Sequence, residues 1–230
     1  MPISLILLSA CSLLRQEPVK PAEALNRLFV GNVRFVSGKS SQDRSDIKLR
    51  AELAKGQRPF AVIIGCADSR VAPEFVFDQN LGDLFVVRTA GNLVDEFAFA
   101  STEYAVQHLG ARLIVVLGHE RCGAVDAALE AFGGSAAPAE YKPAYGPGHI
   151  PALLAAIKPA VEATKGAKDR LEATTLENVK LMVKNLKETE GPLKAMSLRG
   201  EIQIVGAYYD LDSGAVTYPG ISTTVGRLRS

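Results

Sequence analysis

The chain of 230 residues has few cysteines, no long apolar run and no excess of either charge. Three cysteines are too few to build a disulfide-held fold, and the odd count leaves one unpaired. No stretch reaches the roughly eighteen apolar residues of a spanning helix, which excludes an integral membrane span. Lys and Arg number 26 against 25 Asp and Glu, a formal charge of +1. Electrostatic binding to nucleic acid needs a basic excess on one face, so that class of partner is excluded too. What the chain does have is apolar content, 47% of residues. Together with balanced charge, this excludes a mainly disordered chain. At roughly 150 residues per domain the length suits one large domain or two small ones, and a chain this long buries a core without covalent staples. No internal repeat and no linker divides the body.

The N-terminus stands apart. Ile3 to Leu14 is an apolar stretch too short to span a bilayer but of the length of a secretory signal's apolar region. Leu8-Ser9-Ala10-Cys11 resembles a bacterial lipobox, in which cleavage leaves a cysteine for lipidation. No Lys or Arg precedes the run, and Arg15-Gln16-Glu17-Pro18 turns polar after it, like the start of a mature tether. Residues 1–20 therefore read as a signal or lipoprotein-like segment or an N-terminal tail, and residues 21–230 as one domain. The expected location is exported or periplasmic, with a lipid anchor at Cys11. The alternative is an amphipathic first helix packed on the body in a cytoplasmic protein.

Along the body, Ala24, Leu25, Leu28 and Phe29 recur at helical spacing, predicting a helix from Pro21 to Gly38, and a second from Ile47 to Lys55. Ala61–Gly65, Leu84–Arg88 and Leu113–Gly118 are short continuous apolar runs, as expected of strands covered on both faces. A helical pattern over Phe97–Leu109 separates the second run from the third. Ile150 to Lys187 reads as helical with interruptions near Gly166 and Thr174. Glu201–Tyr209 reads as a fourth strand and Ala215–Tyr218 as a last one. Gly133 to Gly148, rich in Gly, Ala and Pro, reads as a surface loop. Strand and helix alternating in this way predict an α/β fold, a mostly parallel central sheet flanked by helices.

Ligands of parallel α/β sheets gather at the carboxyl ends of strands. After the first strand comes Cys66-Ala67-Asp68-Ser69-Arg70, and after the third His119-Glu120-Arg121-Cys122-Gly123. Two thiols and an imidazole thus leave the same edge of one sheet. His119 and Cys122 are close enough to reach one ion across a turn or a first helical turn, and Cys66 arrives from another strand. Two thiolates and one imidazole suit zinc, and three protein ligands with an open fourth position mark a catalytic site. The competing readings are two ordinary buried cysteines or, in an exported protein, a Cys66–Cys122 disulfide. Arg70 is placed to grip the Asp68 carboxylate in a bidentate, charge-assisted pair, leaving one oxygen free to accept a proton from a metal-bound water. Without Arg70, Asp68 is free to swing in as a fourth ligand and close the site. Otherwise the two form a surface ion pair of little energetic weight.

CADSR followed by GHxxCG resembles the beta class of carbonic anhydrases. The likeness extends to GNxRF at Gly31 to Phe35 and to GAYYDLDSG at Gly206 to Gly214. Within the class, Gln57 resembles the active-site glutamine of the plant-like subgroup, and Phe85, Ala90 and Tyr104 fall where that subgroup lines its substrate pocket. Ala90 departs from the valine usual there. The backbone of Gly123 is expected beside the substrate. The resemblance implies one Zn2+ per chain on Cys66, His119 and Cys122, and reversible hydration of carbon dioxide to bicarbonate and a proton by zinc-hydroxide attack. In it Asp68 orients the nucleophile, Arg70 fixes Asp68 and Gln57 donates to substrate oxygens. It also implies a homodimer or higher even-numbered homo-oligomer, with active sites at the subunit interface and N-terminal helices extending over the partner. His108 and His149 are not tied by sequence to the site. The rival readings are a hydrolase of carbon disulfide or carbonyl sulfide on the same scaffold and a non-catalytic zinc-binding protein.

Overall fold

A computed structural model of the chain describes residues 17–40, 46–134 and 148–221. The apolar N-terminal run with Cys11, and most of the loop expected between Gly133 and Gly148, lie outside the described residues. The apolar runs form strands β1 (Ala61–Cys66), β2 (Leu84–Thr89) and β3 (Leu113–His119). Strand β4 (Gln203–Tyr209) and a short β5 (Val216–Thr217) complete one sheet in the order β2-β1-β3-β4-β5. All neighbours are parallel except β5, which runs antiparallel to β4.

Every residue of β1 and β3 is buried, because both strands lie inside the sheet with helices on both faces. The pleat divides their side chains. Ala61, Ile63, Leu113, Val115 and Leu117 pack with Ala24, Leu28 and Phe77 on one face. Val62, Ile64, Ile114 and Val116 pack with Ala105, Val106, Val179 and Leu193 on the other. Each such fully buried Val, Leu or Ile contributes about 1.5–3 kcal/mol. Strand β2 is only half-buried, a departure from its apolar sequence that follows from its place at the sheet's edge.

Helix α1 (Pro21–Val36) begins on Pro21, with Glu23 in its first turn and Arg34 in its last, as the helix dipole favours. Ala24, Leu28, Gly31 and Asn32 form its buried stripe; a Cβ on Gly31 would stand 1.8 Å from the Phe77 carbonyl oxygen, so only glycine admits this approach. The opposite face leaves Val30, Val33 and Val36 exposed. Helix α2 (Ile47–Leu53), capped by Asp46, ends sooner than expected. Then follow α3 (Pro73–Val76), α4 (Glu96–His108), α5 (Gly123–Phe132), α6 (Ile150–Ala163), α7 (Arg170–Glu188) and α8 (Pro192–Leu198). The expected break near Gly166 separates α6 from α7, whose first turn is capped by Asp169. The break expected near Thr174 does not occur. Thr174 and Thr175 are buried in α7 with their hydroxyls satisfied by Thr164 Oγ1 and the Leu171 carbonyl, so neither competes with the helix. No described helix is long and apolar enough to cross a membrane.

Candidate metal centre

Strands β1 and β3 are neighbours in register, Gly65 opposite Leu117, so Cys66 and His119 end at the same edge of the sheet. The chain then turns through Arg121, whose φ of 50° lies in the left-handed region, at a cost of about 1–2 kcal/mol for a residue with a side chain. That turn brings Cys122 back as the residue preceding α5, where the helix N-terminus favours a thiolate.

The ligand atoms of Cys66, His119 and Cys122 lie within 4.8 Å of one another, and all three residues are buried. Both cysteines are free thiols, with their Sγ atoms 4.0 Å apart. His119 Nδ1 is 2.8 Å from the Glu120 carbonyl oxygen. A carbonyl only accepts, so Nδ1 carries the proton and Nε2 presents its lone pair to the thiols. That Nε2 is fully buried and has no hydrogen-bond partner, an omission worth about 1–3 kcal/mol in a protein interior unless something else engages the atom. The hydrogen bond from Cys122 pushes the Cys66 thiol down despite burial, with the Gly91 N–H adding to the effect. The same hydrogen bond and burial push Cys122 up. The shared hydrogen bond thus sets the two thiols against each other, and a bound cation would favour both as thiolates. A tetrahedral cation with sulfur and nitrogen preference fits this donor set.

Beside the triad, Arg70 donates from Nε to Asp68 Oδ1 at 2.9 Å and from Nη2 to Oδ2 at 2.7 Å, and its backbone N–H also reaches Oδ1. This grip holds the Asp68 carboxyl down at about 2. The expectation of one wholly free oxygen is modified: Arg70 engages both, but Oδ2 accepts one donor and keeps a lone pair, 3.9 Å from His119 Nε2. Arg70 is half exposed, so the pair contributes only about 0–1 kcal/mol to stability; its effect is on where the carboxylate sits.

The loop has a further support that the sequence reading missed. Arg88, at the end of β2, donates to the Cys66 carbonyl at 2.9 Å and to the Asp68 carbonyl at 2.6 Å. Its one signal was a charge closing an apolar run. Arg121 pairs with both carboxylate oxygens of Asp212, and Glu120 accepts from the Leu211 N–H, tying the segment after β4 to the turn.

Of the pocket residues, Ala90 opens the 3-10 turn Ala90–Asn92 that packs on Cys66 through Gly91, and Gly123 begins α5 with open space where a Cβ would stand. The other three are not brought to this edge within the protomer. Phe85 pairs with Val62 near the amino end of β1, and Gln57 precedes that strand in an exposed hollow shared with Leu53 and Gly82. Tyr104 lies exposed on α4 with its ring 5.1 Å from that of His108. His149 precedes α6, exposed. A larger hollow of about 430 Å³ along β4 is lined by Lys187 as its one charged residue and offers no comparable chemistry.

Residues 61–216 match the family described as carbonic anhydrase. The chain is 41% identical over 197 residues to carbonic anhydrase 2 of Mycobacterium tuberculosis, covering 84% of this chain and 90% of that protein. It is 39% identical over 197 residues to a carbonic anhydrase of Mycolicibacterium smegmatis, covering 85% and 92%. Among solved structures it resembles the Coccomyxa beta-carbonic anhydrase in complex with acetazolamide, with TM-score 0.64, 27% identity and coverage of 85% and 86%. It also resembles a tetrameric beta-carbonic anhydrase of Sordaria macrospora, with TM-score 0.63, 25% identity and coverage of 86% and 97%.

Proposed function

The chain belongs to the carbonic anhydrase family, in its beta class, and from that premise we propose that it catalyses the reversible hydration of carbon dioxide to bicarbonate and a proton with one zinc ion per chain. The observation that carries the reading is the convergence of two buried thiols on an otherwise unpartnered His119 Nε2, with Asp68 held alongside by Arg70. Held by Cys66, His119 and Cys122, zinc supplies Lewis-acid activation of water.

The chain's own residues do the rest. Asp68 Oδ2 accepts a hydrogen bond from the attacking oxygen and so fixes its remaining lone pair toward the substrate carbon. Arg70 keeps that carboxylate ionised and in place; released, Asp68 would be free to join the residues that hold the metal and close the site. Gly123 leaves room for the substrate beside Cys122, and Ala90 makes the adjoining wall smaller than a valine would.

We further assign the chain to the plant-like subgroup, in which Gln57 donates to the substrate oxygens and Phe85 and Tyr104 line the pocket. Their distance from the carboxyl edge supports a site completed by a second copy in a homodimer or larger even-numbered oligomer. The exposed Val30, Val33 and Val36 of α1 support a helix that reaches over that partner. The N-terminal residues 1–20 are proposed as an export segment with Cys11 as its lipid attachment point; acylation of Cys11 in the native host would be read by mass spectrometry of the intact protein.

The test of the activity is zinc content together with carbon dioxide hydration on one sample. About one zinc per chain is expected, with hydration faster near pH 8.5 than at pH 7, because two thiolates would cancel the ion's charge and leave a centre that activates water less than a dication does. A flat profile from pH 6 to 9 contradicts that account of the centre. One zinc with turnover of carbonyl sulfide and none of carbon dioxide overturns the substrate.

A further inference from the structure

We propose that Asn178, in the middle of α7, is a positioning residue for the metal-binding sulfur of Cys66, acting through the Gly91 backbone; the inference rests on the zinc reading above. The backbone N–H of Gly91 donates to Cys66 Sγ at 3.3 Å. An N–H aimed at a thiolate stabilises its charge and draws electron density from the sulfur, as outer partners of a metal site do. The question is what aims it.

The backbone at this point does not hold itself. Gly91 and Asn92 have φ of 69° and 48°, two consecutive left-handed residues, and the second carries a side chain. Asn178 donates from Nδ2 to the Gly91 carbonyl oxygen at 2.8 Å, across 87 residues of sequence. On the other side, a Cβ at Gly91 would stand 3.1 Å from Ile157 Cδ1 and 3.3 Å from Ala124 Cβ, so α6 and α5 close against the same glycine. The Gly91 backbone is thus held between a hydrogen bond from α7 and packing from α5 and α6, with its N–H directed at the sulfur.

Asn178 itself is fully buried and its Oδ1 has no partner, in a helix that also buries Val179 and Leu186. A buried amide kept with its oxygen unpaired is costly, and the one bond it makes is to the carbonyl of Gly91. Loss of that bond frees the Gly91 backbone, weakens the N–H···Sγ contact and leaves the sulfur more electron-rich and less firmly placed toward the metal.

The experiment uses the full-length protein loaded with cobalt(II) or zinc, as wild type and as Asn178→Ala, Asn178→Ser and Met182→Leu. Met182 is the control, because its Sδ accepts from the Val94 N–H at 3.3 Å and ties α7 to the same loop without reaching Cys66. Both Asn178 variants are expected to move the thiolate-to-cobalt charge-transfer band to longer wavelength. They are also expected to weaken zinc binding, read by chelator competition, roughly tenfold or more, while Met182→Leu does neither. An unmoved band and unchanged affinity in the Asn178 variants overturn the proposal, as does an equal shift in Met182→Leu, which would make the effect one of loop packing. If Asn178→Ala fails to fold, Asn178→Ser decides alone. A wild-type chain that binds neither metal overturns the zinc reading, and this inference falls with it.

Discussion

The two ends of β1 differ in completeness. At its carboxyl end, three donor atoms, a gripped carboxylate and two arginine supports assemble within one chain. At its amino end Gln57 sits in an exposed hollow, Phe85 pairs with Val62, and Tyr104 is 49% exposed on the neighbouring helix. The difference teaches where a single fold is sufficient. Adjacent parallel strands deliver Cys66 and His119 to one edge by register alone, whereas Phe85 stands about 13 Å from that edge along its strand, and joining it is the role proposed for a second copy.

Removing a donor from the complete end has the largest expected effect. Cys122→Ser should abolish stoichiometric zinc and take hydration to background, checked by elemental analysis and gas-exchange kinetics on the same sample. Metal-free protein with wild-type turnover would break the assignment of that end. Next, Asp68→Asn should lower hydration roughly 10²–10⁴-fold, the range of a lost proton acceptor in a transition state. Arg70→Ala should lose activity comparably while unfolding within about 1 kcal/mol of wild type, since the ion pair is largely solvated. Full turnover in zinc-replete Arg70→Ala would remove Arg70 from the mechanism.

The fourth prediction sharpens the contrast between the ends. Gln57→Ala and Cys66→Ser chains, each inactive alone, should recover about a quarter of wild-type activity when unfolded together and refolded as an equal mixture, as random pairing in a two-fold dimer gives one competent site per hybrid. If Gln57 serves its own chain, mixing restores nothing. The smallest effect is expected from Gly123→Ala. Open space around that position predicts thermal stability within about 0.5 kcal/mol of wild type, with a raised KM for carbon dioxide as the reporter of a narrowed pocket. An unchanged KM would place the substrate elsewhere.

Much of the fold was legible because its signals are local. The apolar runs became β1, β2 and β3 within one residue at each end, and the helix expected over Phe97–Leu109 became α4, shifted by one residue. Where α5 begins, the sequence signals only a turn or first helical turn after His119, and α8 has no apolar run, only Gly191 and Pro192 at its start. The Thr174 break failed because a threonine hydroxyl satisfied inside the fold no longer opposes the helix. At the centre, the donor set was visible from residue type and strand ends alone. Its supports were not, because Arg88 and Asn178 act through bonds to backbone carbonyls 22 and 87 residues away.

By itself the sequence determined that a parallel sheet forms and that two thiols and an imidazole leave the same edge, since apolar continuity and side-chain chemistry are properties of short segments. Only the tertiary structure decided which nitrogen of His119 faces the thiols, how Arg70 divides itself between the two oxygens of Asp68, and what holds Gly91 against Cys66. Each of these is a hydrogen bond whose direction depends on a turn conformation or on a residue from another element, and such partners meet only when the chain has folded.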